Sequence, residues 1–306
     1  MSRSSIIVIG SSNTDMVIKT THLPAPGETI LGGDFFMNAG GKGANQAVAA
    51  ARLGGNITFF AKVGNDIFGE RAIALFRKEG IDTSNIISDE RYPSGVALIT
   101  VDSKGENCIV VAPGANNALT AADLQSKKDV IERASFILVQ LEIPLQTVEY
   151  IIKLASTVGA KLVLNPAPAC ELRNELLSGI DIITPNQKEA EMLTGVTVAD
   201  TESAKEAAME LKKKGVKSVI ITLGSSGALV LHDNVFSNIA APVVEAVDTT
   251  AAGDIFNGAL IVALSEGMNM ENAVQFACRA AAISVTRLGA QASAPYRSEV
   301  EDFNFG

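Results

Sequence analysis

The chain has 306 residues, a formal net charge of −9, 47% hydrophobic and 19% charged residues. These values exclude a disordered chain, a basic nucleic-acid binder and, with no 18-residue apolar stretch, a helical membrane protein. Cys108, Cys170 and Cys278 are odd in number and lack metal-ligand spacing, so free thiols in a reducing compartment are expected. The N-terminal apolar run meets polar residues too early for a secretory signal, which makes the cytoplasm the expected location.

In chain order, SIIVIG (5–10) predicts a short buried strand from its β-branched run. GKGANQAVAAARLGG (41–55) predicts a helix that stops at Gly54, and NITFFAKVG (56–64) a strand. DIFGERAIALFRKEGI predicts a helix, and 94–116 a hairpin turning at SKGE. ASFILVQLE (134–142) is an apolar strand with a helix near 145–157. KLVLNPAPA and DIITPN follow as strands, then the helices QKEAEMLTG and ESAKEAAMELKKKG. VKSVIITLGSSG is a strand, GALVLHDNVFSNI a hairpin, and two Ala-rich helices at about 254–266 and 270–286 close the chain.

Apolar strands alternating with helices imply a mostly parallel sheet covered on both faces. Segments 12–40 and 94–116 carry shorter runs broken by turn residues, including DMVIKT and TILGGDFFM. They predict a small separate sheet inserted between βα units. The chain reads as one α/β domain, 1–306, with that small β subdomain.

Six clusters fall where a strand ends or a helix begins, and the βα loops of one sheet converge on one edge. VDTTAAGDIF (247–256) puts Ala251, Ala252 and Gly253 at a helix mouth, where free amides and the dipole suit an anion. Asp254 is there either a dipole-stabilised carboxylate acting as a base or only a helix-start acid. AGGKGANQA (39–47) brings Lys42 and Asn45 to a helix start; it is neither a Walker loop nor, with Gln46 in place of the last glycine, a dinucleotide fingerprint. It is a ligand loop or a tight turn. Asn13 and Asp15 offer polyol contacts or an Asx-turn. Glu142 is a ligand contact or solvent-exposed. Asn186 and Glu189 support a hydrated magnesium ion or merely open a helix. TLGSSG (222–227) suits a nucleotide on backbone, or a turn.

GGKGANQAVAAARLG and DTTAAGDIFNGAL together resemble the two signatures of the ribokinase-like (PfkB) carbohydrate kinase family. GSSNTD, PGET, QLEIPL, LNPAPA, DIITPNQKEAEMLTG, ITLGSSG and TRLGAQ extend the resemblance over essentially the whole chain. It implies a three-layer α/β/α fold with a mostly parallel central sheet and a small β-sheet lid. It implies ATP-dependent phosphorylation of D-ribose at O5, with Mg²⁺ and an activating K⁺.

Carried over by position, Asp254 looks like the base, and Ala252 and Gly253 the anion hole. Asn13, Asp15, Gly41, Lys42, Gly43, Asn45 and Glu142 match sugar-contacting positions. Asn186 and Glu189 match the phosphate and magnesium motif. Thr222, Leu223, Gly224 and Gly227 match the nucleotide stretch, with Gly253 also against ATP and Cys278 beside the adenine. Asp248, Thr250, Ser284, Arg287, Gly289 and Ser293 fall on the potassium site. A homodimer joined through the lids is implied.

Two departures from the family pattern are Ile255 after GD, expected to face the core, and Lys188, an added charge near the phosphates. Asn13 argues against the nearest alternative, a 2-deoxyribose kinase, because a site built to bond the 2-hydroxyl disfavours its absence. Other family sugar or nucleoside kinases remain open. A sugar-binding protein without catalysis is disfavoured by the retained Asp254, and an NAD-dependent dehydrogenase by the failed fingerprint.

Overall fold

In the computed structural model, which describes residues 4–303, the first apolar run forms β1 (Ser5–Ile9) and the polar SSNTD stretch leads straight into β2 (Asn13–Lys19). β3 (Phe35–Gly40) starts later than TILGGDFFM predicts. Gly32 and Gly33 sit at φ 103° and 111°, outside strand geometry, and hold the chain irregular up to that point. Then come α1 (Lys42–Arg52), β4 (Asn56–Gly64) and α2 (Ile67–Lys78). The Asp66 carboxylate starts α2 by accepting the Phe68 and Gly69 N–H groups.

β5 (Ile86–Asp89) was not anticipated; the hairpin β6 (Gly95–Val101) and β7 (Asn107–Ala112) was. Short helices α3 (Ala121–Gln125) and α4 (Lys128–Ile131) precede β8 (Phe136–Val139), α5 (Leu145–Val158) and β9 (Lys161–Leu164). α6 (Asn174–Leu177), β10 (Ile182–Ile183), α7 (Gln187–Thr194) and α8 (Thr201–Lys213) follow. β11 (Ser218–Thr222) runs into the hairpin β12 (Ala228–His232) and β13 (Val235–Ile239). α9 (Ala252–Ser265), α10 (Met270–Ser284) and the short α11 (Arg297–Glu301) complete the described chain.

Nine strands form one sheet in the order β13-β12-β11-β10-β9-β8-β1-β4-β5. From β11 to β5 every neighbouring pair is parallel; the β11–β12 and β12–β13 pairs are antiparallel. β1 shows why its strands read as continuous apolar runs. Ile6 and Val8 enter the core that holds α1, α9 and α10, while Ile7 and Ile9 enter the opposite core with α5, α7 and α8. Both faces are covered, so both alternating sets must be apolar.

A four-stranded sheet, β3-β2-β6-β7, stands apart. It leaves Phe35, Leu98, Ile109 and Val110 exposed, Val110 by 62%. Parallel pairing in register brings the ends of β1, β8, β9, β10 and β11 to one edge. No helix among the described residues is long and apolar enough to cross a membrane, and all three cysteines are free.

Candidate active site

That edge carries a cavity of about 180 Å³. Lys42, Asn186, Glu189, Thr222, Ala251, Ala252, Gly253 and Asp254 line it, all anticipated from sequence; Asn165, Thr184, Thr249 and Asn257 line it too and were not assigned a role. α9 opens onto it. Ala251, with φ 60°, takes the left-handed conformation and turns the chain into the helix. A Cβ placed on Gly253 would meet nothing within 4 Å, so the first turn of α9 borders open space there, while the Ala252 N–H turns back to the Thr249 carbonyl at 3.3 Å.

Asp254 is buried, 5% exposed. Its Oδ2 accepts from Asn45 Nδ2 at 2.9 Å and its Oδ1 from Gln46 Nε2 at 3.0 Å. At a helix start the dipole alone would favour its ionised form. The structure corrects this: burial is the largest influence and pushes the carboxyl above its ordinary range. Lys42 and the two amides pull in the other direction. Burial also works against the charge of Lys42, yet the surrounding carboxylates of Asp254, Glu142, Glu189 and Asp15 hold its ammonium above the usual lysine range. Asp15 is pushed to about 6 by burial and by Glu142 and Asp254. Glu189 is raised, first by burial.

Glu142 is half-buried, and one of its two oxygens is tied into the protein. Its Oε2 accepts from Ser11 Oγ at 2.6 Å and from the Lys42 backbone N–H at 3.0 Å, so it ties the end of β8 to the mouth of α1. Asn186 and Glu189 open a helix and also border the cavity. They form a capping box on α7, Asn186 Oδ1 accepting from Glu189 N at 2.9 Å and Glu189 Oε2 from Asn186 N at 2.8 Å, while both line the cavity. Lys188 beside them is exposed.

Asn13 makes no Asx-turn. It lies in β2, and its Oδ1 accepts from Asn116 Nδ2 at 2.7 Å. Asn116 also bonds both backbone groups of Ser12, so this unpredicted residue pins the root of β2 in the small sheet. Gly41 and Gly43 do not line the cavity. Gly41 sits at φ 88°, and a Cβ on Gly43 would lie 2.6 Å from the Gly10 carbonyl carbon, so both permit the close packing of α1 on the β1 turn.

Leu223, Gly224 and Gly227 form a tight turn, and a Cβ on Gly227 would sit 2.0 Å from the Ile239 carbonyl oxygen. That is the turn reading of TLGSSG; only Thr222 reaches the cavity. Cys278 is buried in the core of α9 and α10, which drives its thiol up to about 12, and does not line the cavity. Ile255 is fully buried in that same core, as expected.

The six positions read as a cation site gather around one loop junction. Asp248 Oδ1 accepts from Thr250 N at 2.9 Å and Oδ2 from Gly289 N at 2.8 Å. The Val247 and Asp248 N–H groups both donate to the Val285 carbonyl. Burial opposes the charge of Asp248, but the Thr250 hydroxyl and the Gly289 and Thr250 N–H groups hold its carboxyl below the ordinary range. The Ser284 and Ser293 hydroxyls donate to the backbone carbonyls of Ala281 and Ala290, and Arg287 forks onto Glu299. No group of three or more His, Cys, Asp or Glu residues able to hold a metal occurs among the described residues.

Residues 3–297 match the pfkB family carbohydrate kinase profile. The chain is 46% identical to a ribokinase of Haemophilus influenzae over 301 residues, 98% of each chain. It is 37% identical to a deoxyribokinase of Salmonella typhi, over 98% of this chain and 97% of that one. The solved ribokinase of Arabidopsis thaliana complexed with ribose and ATP superimposes with a TM-score of 0.93 at 32% identity, covering 99% of this chain and all of that one. The anion-ready helix mouth, the buried aspartate beside it and these matches lead to one conclusion: the chain belongs to the pfkB family of carbohydrate kinases.

Proposed function

We propose that the chain transfers the γ-phosphoryl group of ATP to O5 of D-ribose, giving D-ribose 5-phosphate and ADP. The observation that carries this is Asp254: a buried carboxylate, held by two amides, at the first turn of α9, where a Cβ on Gly253 would meet only open space. Asp254 takes the proton of the primary hydroxyl. The resulting oxygen forms its bond to the γ-phosphorus as the bond from that phosphorus to the β–γ bridging oxygen breaks. The first-turn amides of α9 receive the charge that develops.

Asn13 has its oxygen committed to Asn116, so its amide N–H groups are left for a sugar hydroxyl. The buried Asn45 Oδ1 has no partner among the described residues, which suits a hydroxyl donor. Asp15 and Glu142 sit close enough to Asp254 to affect its charge, and complete a polyol site with Lys42. Thr222 and the turn at Leu223, Gly224 and Gly227 would carry the nucleotide, beside Asn186 and Glu189.

Four carboxylates face one ammonium at this site. That surplus of negative charge favours a nucleotide delivered as its magnesium complex, with Glu189 the group placed to meet the hydrated ion. Asp248, with hydroxyl and backbone oxygens of Thr250, Ser284, Arg287, Gly289 and Ser293, offers a single carboxylate. This donor set suits a monovalent ion such as K⁺, which would stiffen the turn that presents the anion hole.

The 1–306 chain then works as one kinase domain, with the strands of 12–40 and 94–116 as a lid over the sugar. Two lids pairing through the exposed face around Ile109 and Val110 would cover its apolar side chains. A dimeric mass by light scattering, lost in Val110→Lys, is expected; a wild-type monomer at micromolar concentration removes this contact.

The deciding experiment measures ADP release with ATP and Mg²⁺, using D-ribose or 2-deoxyribose, each with and without K⁺. Strong ribose turnover stimulated by K⁺ is expected. Preference for deoxyribose would favour the second reading, which the deoxyribokinase relative keeps in view.

A further inference from the structure

Gln46 is fully buried, lies outside the cavity lining and entered the sequence argument only as the residue that breaks a glycine fingerprint. Its Nε2 donates to Asp254 Oδ1 and to Asn165 Oδ1, both at 3.0 Å, and its Oε1 accepts from Gln140 Nε2 at 2.5 Å. A primary amide has two N–H groups and one carbonyl, so both donors and the acceptor are in use. Rotating the amide by half a turn would press its oxygen against two acceptors, which leaves one orientation.

The connection continues past Asn165. Asn165 Nδ2 donates to the Thr184 carbonyl at 3.3 Å, Thr184 Oγ1 to Asn257 Oδ1 at 2.7 Å, and Asn257 Nδ2 to the Gly253 carbonyl at 2.7 Å. The path leaves Asp254 and returns to the residue before it. All four intermediate side chains are buried, where each bond is sheltered from water.

We propose that Gln46 is a positioning residue: it fixes the carboxylate rotamer of Asp254, and the circuit through Asn165, Thr184 and Asn257 locks base and anion-hole turn into one rigid unit. This rests on the reading of Asp254 as the base. Asn45 also donates to Asp254, but its own oxygen is uncommitted, so it can turn to meet a sugar hydroxyl. The two adjacent amides divide the work, Asn45 facing substrate and Gln46 facing scaffold.

The charged groups around Asp254 are Lys42 on the same helix as Gln46, Glu142 after β8, Asp15 on β2 and Glu189 on α7. None of them is altered by changing Gln46, so a change in titration can be traced to the lost donor.

The test compares wild type, Gln46→Met and Thr184→Val by thermal melting, by kcat and KM for ribose, and by the pH profile of kcat/KM. Gln46→Met keeps the length of the side chain and removes its hydrogen bonds. Its kcat should fall on the order of 10²-fold, as for a displaced reacting group, with the ribose KM within about threefold. Its acid limb should move to higher pH, because an ionised carboxylate loses a donor. Thr184→Val breaks a distant link; its kcat should fall about tenfold with the acid limb unmoved.

No ribose turnover by wild type would overturn the proposed reaction itself. With wild type active, a folded Gln46→Met whose kcat and acid limb match wild type would overturn the positioning role alone. Should Gln46→Met fail to fold, Thr184→Val decides: wild-type kcat in that folded variant overturns the circuit, and a selective kcat loss supports it.

Discussion

The loop before α9 and the first turn of α9 each hold an aspartate, and the two acids live in opposite worlds. Asp248 is bonded by two backbone N–H groups at a partly open junction and is held below the ordinary carboxylate range. Asp254 is bonded by two side-chain amides in a buried site and is pushed above it. The same residue type is thus held towards its charged form in one place and towards its protonated form in the other, which fits the proposed role of Asp254 as proton acceptor. Backbone donors stay put through a reaction, whereas a buried carboxylate with raised affinity for protons can take one up and give it back.

The sharpest way to break this comparison is to remove each acid in turn. Asp254→Ala should lower kcat by on the order of 10³-fold or more, as loss of a general base does, with ribose binding by calorimetry largely intact. Near-normal turnover would remove Asp254 from the role of base. Asp248→Ala should keep a base and lose its setting. Expected are a fall in kcat of about tenfold and loss of any K⁺ response, with stability lower by about 1–2 kcal/mol once partial exposure is allowed for. An unchanged melting temperature and an intact K⁺ response would show that the junction does not depend on this acid.

The smallest effects are the most diagnostic, because their signs differ. A free aspartate titrates near 3.9 in the unfolded chain. Asp248, depressed in the folded state, adds stability above that value and loses it as pH falls through its folded pKa. The deficit of Asp248→Ala should therefore shrink on going from neutral to pH below about 4 in potassium-free buffer. Asp254 is raised, so the folded state binds the extra proton between the two pKa values and its contribution to stability falls as pH rises. Relative to wild type, Asp254→Ala should gain in melting temperature from acid to neutral pH. Parallel trends in the two variants would dissolve the distinction.

Much of this was legible in the sequence, and for identifiable reasons. Continuous apolar runs announced strands buried on both faces, and the ends of those runs gave Asp254, Lys42, Asn186 and Thr222. The interrupted runs of 12–40 and 94–116 announced a separate sheet. What escaped was whatever depends on partners distant in sequence. Asn116 pins a strand 104 residues earlier, and Gln46 reaches Asp254 across 208 residues. Nothing local marks either as special. Glu142 was framed as ligand contact or exposed because a helix mouth 100 residues away cannot be seen from the end of a strand. β5 and the shortest helices are too brief to show a period.

The three cysteines, which entered as a clue to compartment, turn out to be graded in accessibility. Cys108 is exposed on the lid strand β7, Cys170 is partly covered and Cys278 is sealed in the core. A maleimide dye should therefore mark the lid first. The native chain carries its own attachment point for a fluorescent reporter on the segment proposed to move over the sugar, and opening and closing can be timed without engineering a new thiol.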